Sequence, residues 1–358
     1  MDLRNTRFLN LKEHCAVKGW PYFAIQEAEP LALLEREPPE FHLSLAYRAQ
    51  SFICYIENAQ VIGDGLLFLE DGIAVDGLST GCYPQHIKIK LAPYLDSCNY
   101  FPSPLPRDGE LEEAVLCWGT TNFGHWIFTY LHRLTLLWNR PELLDKPLLV
   151  KAGTPPRFIE WLAAMGFKNI VYGHDWVKVR RLWVPSVVQY RDLEMKSHFS
   201  PEAVYSFRYL MLKSRLLPTA KRTRFFVSRA RAKWRRILNE AELIEALAKF
   251  EVETVYMEDM TLDEQLDLVS QSELIVMTAG ASSPITMLAP INCKIVELTI
   301  PIFAAVFGSR SWARIIGQQF HRIDGVPVNN KRDAKINADF TIDVDEVVKV
   351  CGQATYES

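Results

Sequence analysis

The chain has 358 residues, a formal net charge of −3 and 23% charged residues. This length accommodates two domains, and the slightly acidic total argues against a dedicated nucleic-acid-binding protein, which usually carries a basic domain. The first 20 residues are too polar and too charged for a signal peptide or a membrane anchor. We therefore expect a cytoplasmic protein.

Seven cysteines are scattered along the chain, and no two of them form a Cys-x-x-Cys pair. This pattern favours reduced thiols that pack in the interior over a disulfide framework or a zinc site.

In the first half of the chain, apolar runs alternate first with turn residues and then with helical patterns. Residues 51–78 carry Gly-Asp and Asp-Gly turns between short apolar runs, which predicts hairpins of a small antiparallel sheet. A strand at 114–118 and a helix of about 16 residues follow. Further strand and helix patterns up to residue 173, with a helix near 156–165, predict an α/β layer. The apolar positions of the 16-residue helix are Phe123, Ile127, Leu131, Leu134 and Trp138.

The second half alternates strands and helices more clearly. Capping boxes at Asn239-x-x-Glu242 and Thr261-x-x-Glu264 predict two helix starts. Four strands with helical crossovers predict a doubly wound parallel sheet. We place the domain boundary within 186–222, which gives domains of 1–205 and 206–358. The four predicted strands are 224–228, 252–257, 273–277 and 293–298.

The loop after the first of these strands is strongly basic. Residues 227–240, "VSRARAKWRRILNE", contain five cationic side chains and no acid before the last position. Ligands of open α/β sheets bind beyond the carboxyl ends of the strands, and arginine forks suit phosphate groups. We expect a subset of this loop, Arg229 with Arg235 or Arg236, to bind an anion; a solvated basic surface is the alternative.

Two further features lie near strand ends. The turn after the strand 273–277 contains small residues that let a ligand approach the backbone, and Pro284 suits the first position of a helix whose free amides face a phosphate. Glu297 ends the next strand, where a carboxylate could accept hydrogen bonds from the hydroxyls of a ribose. A packing turn and a surface glutamate are the alternatives. The turn residues are Gly280, Ala281, Ser282 and Ser283.

His125 is the candidate general base of the first half. Asn122 is placed to cap the helix, so His125 falls in its first turn, where the helix dipole favours a neutral imidazole. A neutral histidine can accept a proton from a hydroxyl nucleophile; a histidine satisfied by core hydrogen bonds is the alternative. His132 lies two turns further on, but no neighbouring carboxylate or cysteine completes a metal site.

Together these segments resemble glycosyltransferase family 61 over roughly residues 110–350. The chain departs from the family at Thr278-Ala279-Gly280-Ala281, where the family often has His-Gly-Ala. The backbone, or Ser282 and Ser283, would make the ligand contact of that histidine. The segments that carry the resemblance are Asn122-x-x-His125-Trp126 with Arg133-Leu134, Ser228-Arg229 with Arg235, Arg236 and Asn239-Glu240, "TLDEQ" at 261–265, Gly280-Ala281, "IVEL" at 295–298 and "FTIDVDEV" at 340–347.

The resemblance implies a GT-B architecture of two Rossmann-like domains that face a cleft. It implies an inverting transfer from a nucleotide-sugar, commonly a UDP-sugar, to a glycan or a lipid-linked glycan in surface polysaccharide biosynthesis. Neither a cofactor nor an essential metal is expected. A lipid-linked acceptor would go with peripheral association at the inner face of the membrane.

The resemblance also implies roles for individual residues. His125 is the expected base, and Asn122, Trp126 and Arg133 are expected on the acceptor side of the cleft. The expected nucleotide-binding set is Arg229, Arg235, Arg236, Asn239, Gly280, Ala281, Ser282, Ser283 and Glu297.

Two other functions remain open at this point. A catalytically degenerate relative would bind a nucleotide-sugar or a glycan without transferring it, and the altered turn at 278–281 keeps this alternative alive. A nucleic-acid or membrane-surface protein would use residues 221–236, and its affinity would fall steeply with salt.

Overall fold

The structure is a computed structural model that describes residues 8–9, 11–25, 51–63, 65–69, 72–74, 109–174, 176–191, 197–215, 222–304, 309–328 and 337–353. The chain folds into two compact units, Met1–Tyr190 and Arg191–Ser358. This division falls within 186–222 and lies before residue 205, where we placed the end of the first domain. No helix in the described ranges is long and apolar enough to cross a membrane.

The first unit is built on a mixed sheet of nine described strands, in the order β1-β5-β4-β3-β9-β6-β7-β8, with β2 paired to β3. The segment β9-β6-β7-β8 is parallel, whereas β2, β3, β4, β5 and β9 form the antiparallel pairs. The strands are β1 Phe8–Leu9, β2 Tyr22–Ala24, β3 Phe52–Ile62, β4 Leu66–Leu69, β5 Gly72–Ala74, β6 Glu110–Leu116, β7 Leu148–Lys151, β8 Ile170–Gly173 and β9 Trp176–Pro185.

The hairpins predicted within 51–78 are confirmed as far as residue 74, whereas 75–78 lie outside the described residues. They do not form a separate small sheet. Strand β9, which the sequence analysis did not identify, pairs antiparallel with β3 from Ile53 to Ile62 and parallel with β6 on its other side. The hairpin strands β3, β4 and β5 are therefore continuous with the α/β sheet of the first unit.

The helix predicted after β6 is present, but its hydrogen bonding changes along its length. It begins as an α-helix at Phe123 and passes through a π-helix, Trp126–Leu131, in which all six residues are buried. Such π segments are uncommon and are frequently found at functional sites. The helical segments of this unit are Leu11–Lys18, Phe123–His125, Trp126–Leu131 (π), His132–Leu134, Thr135–Asn139 (3₁₀), Pro141–Leu143 (3₁₀) and Pro156–Met165.

The second unit contains a parallel sheet in the order β13-β12-β14-β15-β16. The predicted doubly wound sheet is confirmed, and β16 is an additional strand. Strands β14 and β15 are largely buried on both faces, as expected where helices and loops cover a parallel sheet; β15 is buried along its whole length. Strand β10, Gln189–Arg191, spans the boundary between the two units. The described strands of the second unit are β11 Ser197–Phe199, β12 Thr223–Val227, β13 Glu253–Val255, β14 Ser272–Thr278, β15 Lys294–Thr299, β16 Gln319–Asp324, β17 Val326–Pro327 and β18 Phe340–Thr341.

One of the two predicted capping boxes forms. Thr261 and Glu264 cap each other reciprocally at the start of the helix Leu262–Ser270. The box predicted at Asn239 is wrong, because Asn239 makes no side-chain cap; its amide bonds the backbone of Ile342 instead. The helical segments are Pro201–Leu212, Glu240–Ala248, Met257–Asp259 (3₁₀), Leu262–Ser270, Ser283–Leu288 (3₁₀), Pro301–Ala304, Ser309–Ile316 and Val344–Gln353.

Glu297 is a buried acid within this sheet. It lies on β15 between Met277 of β14 and Arg322 of β16, is 3% exposed, and accepts a hydrogen bond from the hydroxyl of Ser309. Burial raises the pKa of Glu297 to about 7, because a charged carboxylate is poorly solvated there, and Ser309 and Arg322 oppose this effect only in part. The structure therefore places Glu297 inside the sheet and not at the surface, two residues before the end of β15, and its contact with ribose hydroxyls stays a prediction.

The buried carboxyl of Glu297 predicts a pH-dependent stability. Its folded-state pKa of about 7 lies above the ordinary value of 4.5. The protonated carboxyl therefore makes its full contribution to the free energy of unfolding below pH 4.5, and this contribution is lost as the pH rises through 7. Between pH 5 and pH 8 the free energy of unfolding of the wild type should fall by on the order of 2 kcal/mol relative to that of Glu297→Gln, whose side chain stays neutral. Urea unfolding of both proteins across this pH range measures the difference.

Glu253→Gln is the matched control, because Glu253 is an exposed glutamate in the same sheet. Its difference from the wild type should not change with pH. A pH-independent difference for Glu297→Gln would contradict the burial of an ionisable carboxyl at this position.

Candidate functional site

The strand order of the second unit brings two loops together. From β12 the chain crosses to β13 on one side and then returns to β14 on the other side. In open parallel sheets such a reversal leaves a crevice beyond the carboxyl ends of the two strands at which it occurs, and ligands bind there. The loops at this point are the arginine loop, residues 228–239, and the glycine turn, residues 280–283.

Two arginines of the arginine loop meet the glycine turn. A Cβ atom placed on Gly280 would lie 2.9 Å from Nη1 of Arg229 and 3.5 Å from Nη2 of Arg235. Arg229 donates from Nη2 to the carbonyl of Trp234 at 3.0 Å. Its buried Nε has no hydrogen-bond partner among the described residues. The structure therefore gathers three of the predicted nucleotide-binding residues.

The surroundings of the two guanidinium groups disfavour their charged form. Burial, and to a smaller extent the charge of Arg229, lowers the pKa of Arg235 to about 10. Burial also lowers the pKa of Arg229, although the charge of Glu258 acts in the opposite direction. Two partly buried like charges repel each other, and an anion between them would relieve that repulsion.

The far end of the arginine loop is fastened to the segment around Phe340. Arg235 adopts a left-handed backbone with φ of 57°, which costs a non-glycine residue about 1 kcal/mol. Beyond it, the amide of Leu238 donates to the carbonyl of Phe340 at 2.8 Å, and the amide of Phe340 donates to the carbonyl of Arg236 at 3.0 Å. These bonds stabilise the turn that returns Arg235 toward Gly280.

Arg236 and Asn239 do not join this cluster. Arg236 pairs with Asp339 through Nη2 at 2.6 Å, and its amide donates to the same carboxylate at 2.8 Å. Asn239 bonds both backbone groups of Ile342, at 2.9 and 3.0 Å. The sequence pattern did not separate these two residues from Arg229 and Arg235, because their partners lie about a hundred positions away.

The glycine turn is closed by its own serine. The amide of Gly280 donates to Oγ of Ser283 at 2.9 Å, so this amide is not free for a phosphate as we expected. Ser283 is fully buried, whereas Ala281 and Ser282 are half-buried. The helix after the turn is a 3₁₀ segment, Ser283–Leu288. The contribution of the turn is therefore the absence of a side chain at Gly280, which lets the guanidinium of Arg229 approach closely.

His125 lies at the carboxyl edge of the parallel strands of the first unit. The chain leaves β6 at Leu116, and Asn122 caps the following helix, accepting a hydrogen bond from the amide of His125 at 3.2 Å. The predicted cap is thus confirmed. The half-buried imidazole contacts the ring of Phe128 edge-on, at 5.1 Å between centroids, and it immediately precedes the π-helix.

Trp126 and Arg133 are core residues, which corrects their expected place at an acceptor cleft. Trp126 is completely buried, donates to the carbonyl of Phe158 at 2.9 Å and stacks on the ring of Phe158. Arg133 is also completely buried and donates from Nε to the carbonyl of Pro185 at 2.9 Å. Burial lowers the pKa of Arg133 to about 10. Both side chains donate to backbone carbonyls, which no local pattern indicates.

His132 is buried as well. Its Nδ1 lies 2.8 Å from the carbonyl of Ile127, and burial lowers its pKa to about 4. In the described part of the chain no three histidine, cysteine or acidic side chains are grouped so that they could hold a metal ion.

Comparison with known proteins finds one family model that matches part of the chain. Residues 123–296 match the family model Glycosyltransferase 61. Comparison with curated protein sequences gives no match. Similar solved structures include the iron-containing dodecameric glycosyltransferase TibC from enterotoxigenic E. coli H10407, with 11% identity over 64% of this chain and 68% of that chain and a TM-score of 0.36. The E. coli heptosyltransferase WaaC with ADP is 11% identical over 68% of this chain and 100% of that chain, with a TM-score of 0.30.

At these TM-scores the two structural similarities carry no weight for the architecture, which rests on the sheets described above. The family match contains His125, both arginines of the cluster and the glycine turn. The match to glycosyltransferase family 61 over residues 123–296 therefore supports glycosyltransferase activity.

Proposed function

We propose that this glycosyltransferase moves a sugar from a nucleoside-diphosphate sugar, a UDP-sugar, to a hydroxyl group of a glycan or glycoconjugate. The transfer inverts the anomeric configuration and needs no metal ion. The observation that carries the proposal is the convergence of Arg229 and Arg235 on Gly280, at the reversal point of the parallel sheet.

The arginine pair suits a diphosphate in charge and in geometry. Arginine forks form charge-assisted hydrogen bonds with phosphate oxygens, and Nε of Arg229 is a buried donor that no described residue uses. When the glycosidic bond breaks, negative charge develops on the departing diphosphate. Two cations held at that place stabilise this charge, which is the role that a metal ion has in other enzymes.

His125 is the proposed general base. Its imidazole takes the proton of the acceptor hydroxyl while the acceptor oxygen forms a bond to the anomeric carbon. The bond from that carbon to the diphosphate oxygen breaks, and the diphosphate leaves with the electron pair. Attack opposite the leaving group inverts the configuration in this single displacement.

Nucleotide binding tests the arginine pair. Isothermal titration of UDP, GDP, CDP and ADP, with and without EDTA, should show binding that is tightest for UDP and unaffected by the chelator. Arg229→Ala and Arg235→Ala should each weaken the binding by about 10- to 100-fold, since each removes charge-assisted hydrogen bonds.

Arg231→Ala is the matched control for this measurement. Arg231 belongs to the same loop, but it is exposed and pairs with Asp259 at 2.6 Å. Its removal should leave the UDP affinity within about twofold of the wild type. An equal loss for all three variants would mean that the loop attracts nucleotides only through its general charge.

Steady-state kinetics tests the base. His125→Ala should lower kcat by about 10²- to 10⁴-fold while the UDP affinity stays unchanged, because a general base acts on the transition state and not on donor binding. His174→Ala, which removes an exposed histidine of the same unit, should be active. Full transfer activity of His125→Ala would refute the assignment.

A further inference from the structure

A buried serine and a buried glutamate lie at the two ends of the arginine loop. Ser228 directly follows β12, and Glu240 begins the helix Glu240–Ala248. Both are buried, with exposed fractions of 3% and 8%. The hydroxyl of Ser228 donates to Oε1 of Glu240 at 2.5 Å, so this hydrogen bond closes the loop at its base.

The same hydroxyl also orders the backbone around Arg229. The amide of Ala230 donates to Oγ of Ser228 at 3.1 Å, and the amide of Ser228 donates to the carbonyl of Val255 at 3.0 Å. A hydroxyl has one donor and two acceptor positions. Because the hydroxyl of Ser228 donates its hydrogen bond to Glu240, its lone pairs are available to accept from the amide of Ala230. The backbone is thus fixed on both sides of Arg229.

One oxygen of the Glu240 carboxylate lowers the stability of the fold. Its second oxygen, Oε2, is sealed from solvent and has no hydrogen-bond partner among the described residues. A buried acceptor without a donor is unfavourable. Since this oxygen is enclosed, it offers no surface to a substrate, and the exposed Glu242 of the same first turn would complement the helix dipole without such burial.

We propose that Ser228 and Glu240 are a positioning pair for Arg229 in the donor site, an inference that rests on the proposed function. The pair fixes the start of the arginine loop, so that the guanidinium of Arg229 lies against Gly280. Two like charges beside one turn need a rigid framework to keep them there before the anion binds, and preorganisation of this kind raises affinity.

A double-mutant cycle tests the pair. The ligand is whichever of UDP, GDP, CDP and ADP binds the full chain most tightly in titration calorimetry. Ser228→Ala and Glu240→Ala should each weaken its binding about tenfold, and the double variant should lose no more than either single variant, because both substitutions break one chain of bonds. Glu240→Gln retains an acceptor for Ser228 and should bind within about twofold of the wild type.

Glu242→Ala is the control for the helix dipole, and it should bind as the wild type does. Wild-type affinity in both Ser228→Ala and Glu240→Ala, or losses that add in the double variant, would overturn the positioning role. Thermal melts show which variants fold. If Glu240→Ala does not fold, Ser228→Thr replaces it in the test: retained affinity with Thr and lost affinity with Ala supports the pair, and equal affinity overturns it.

The same titrations separate this inference from the donor site itself. If no nucleoside diphosphate binds the wild type, or if Arg229→Ala binds as tightly as the wild type, the donor site is wrong and the positioning role falls with it. If Arg229→Ala loses affinity while the Ser228 and Glu240 variants keep it, only the positioning role is wrong.

Discussion

The arrangement of the second unit depends on the parallel pairing of β12 with β14. The chain first extends the sheet on one side of β12 and then reverses to the other side. This reversal places two loops, which are about fifty residues apart in sequence, beyond adjacent strand ends. Without this reversal, Arg229 and Gly280 would not lie close together, and the basic loop would be an exposed charged surface.

Within that loop, the partner of each arginine decides its function. Arg231 and Arg236 have carboxylates within 2.6 Å, at Asp259 and Asp339. They hold the loop and have little charge left for a ligand. Arg229 and Arg235 both approach Gly280, a residue without a side chain. Arg231 and Arg236 therefore stabilise the loop, whereas Arg229 and Arg235 face the turn at which the proposed anion would bind.

Much of this was predictable from the sequence, and the limits have physical causes. Apolar runs and helix periods predicted the parallel sheet and its crossovers, because both faces of such a sheet are buried. The pattern could not show that β9 joins the hairpins to the first sheet, since that pairing connects residues more than a hundred positions apart. Trp126 and Arg133 were expected on the acceptor side of the cleft only because the family resemblance implied it. Their carbonyl partners, Phe158 and Pro185, are supplied by tertiary packing alone.

The backbone bonds between residues 236–238 and Phe340 make the C-terminal segment part of the scaffold of the arginine loop. The described part of this segment supplies no residue of the cluster at Gly280, but its backbone hydrogen bonds stabilise the turn at Arg235. Loss of the chain from residue 337 onward would remove Phe340, Ile342 and Val347 from the hydrophobic core together with these backbone bonds. Proteolytic trimming at this end would therefore disturb the packing against the parallel sheet and the arginine loop at once, although it would remove no arginine of the cluster.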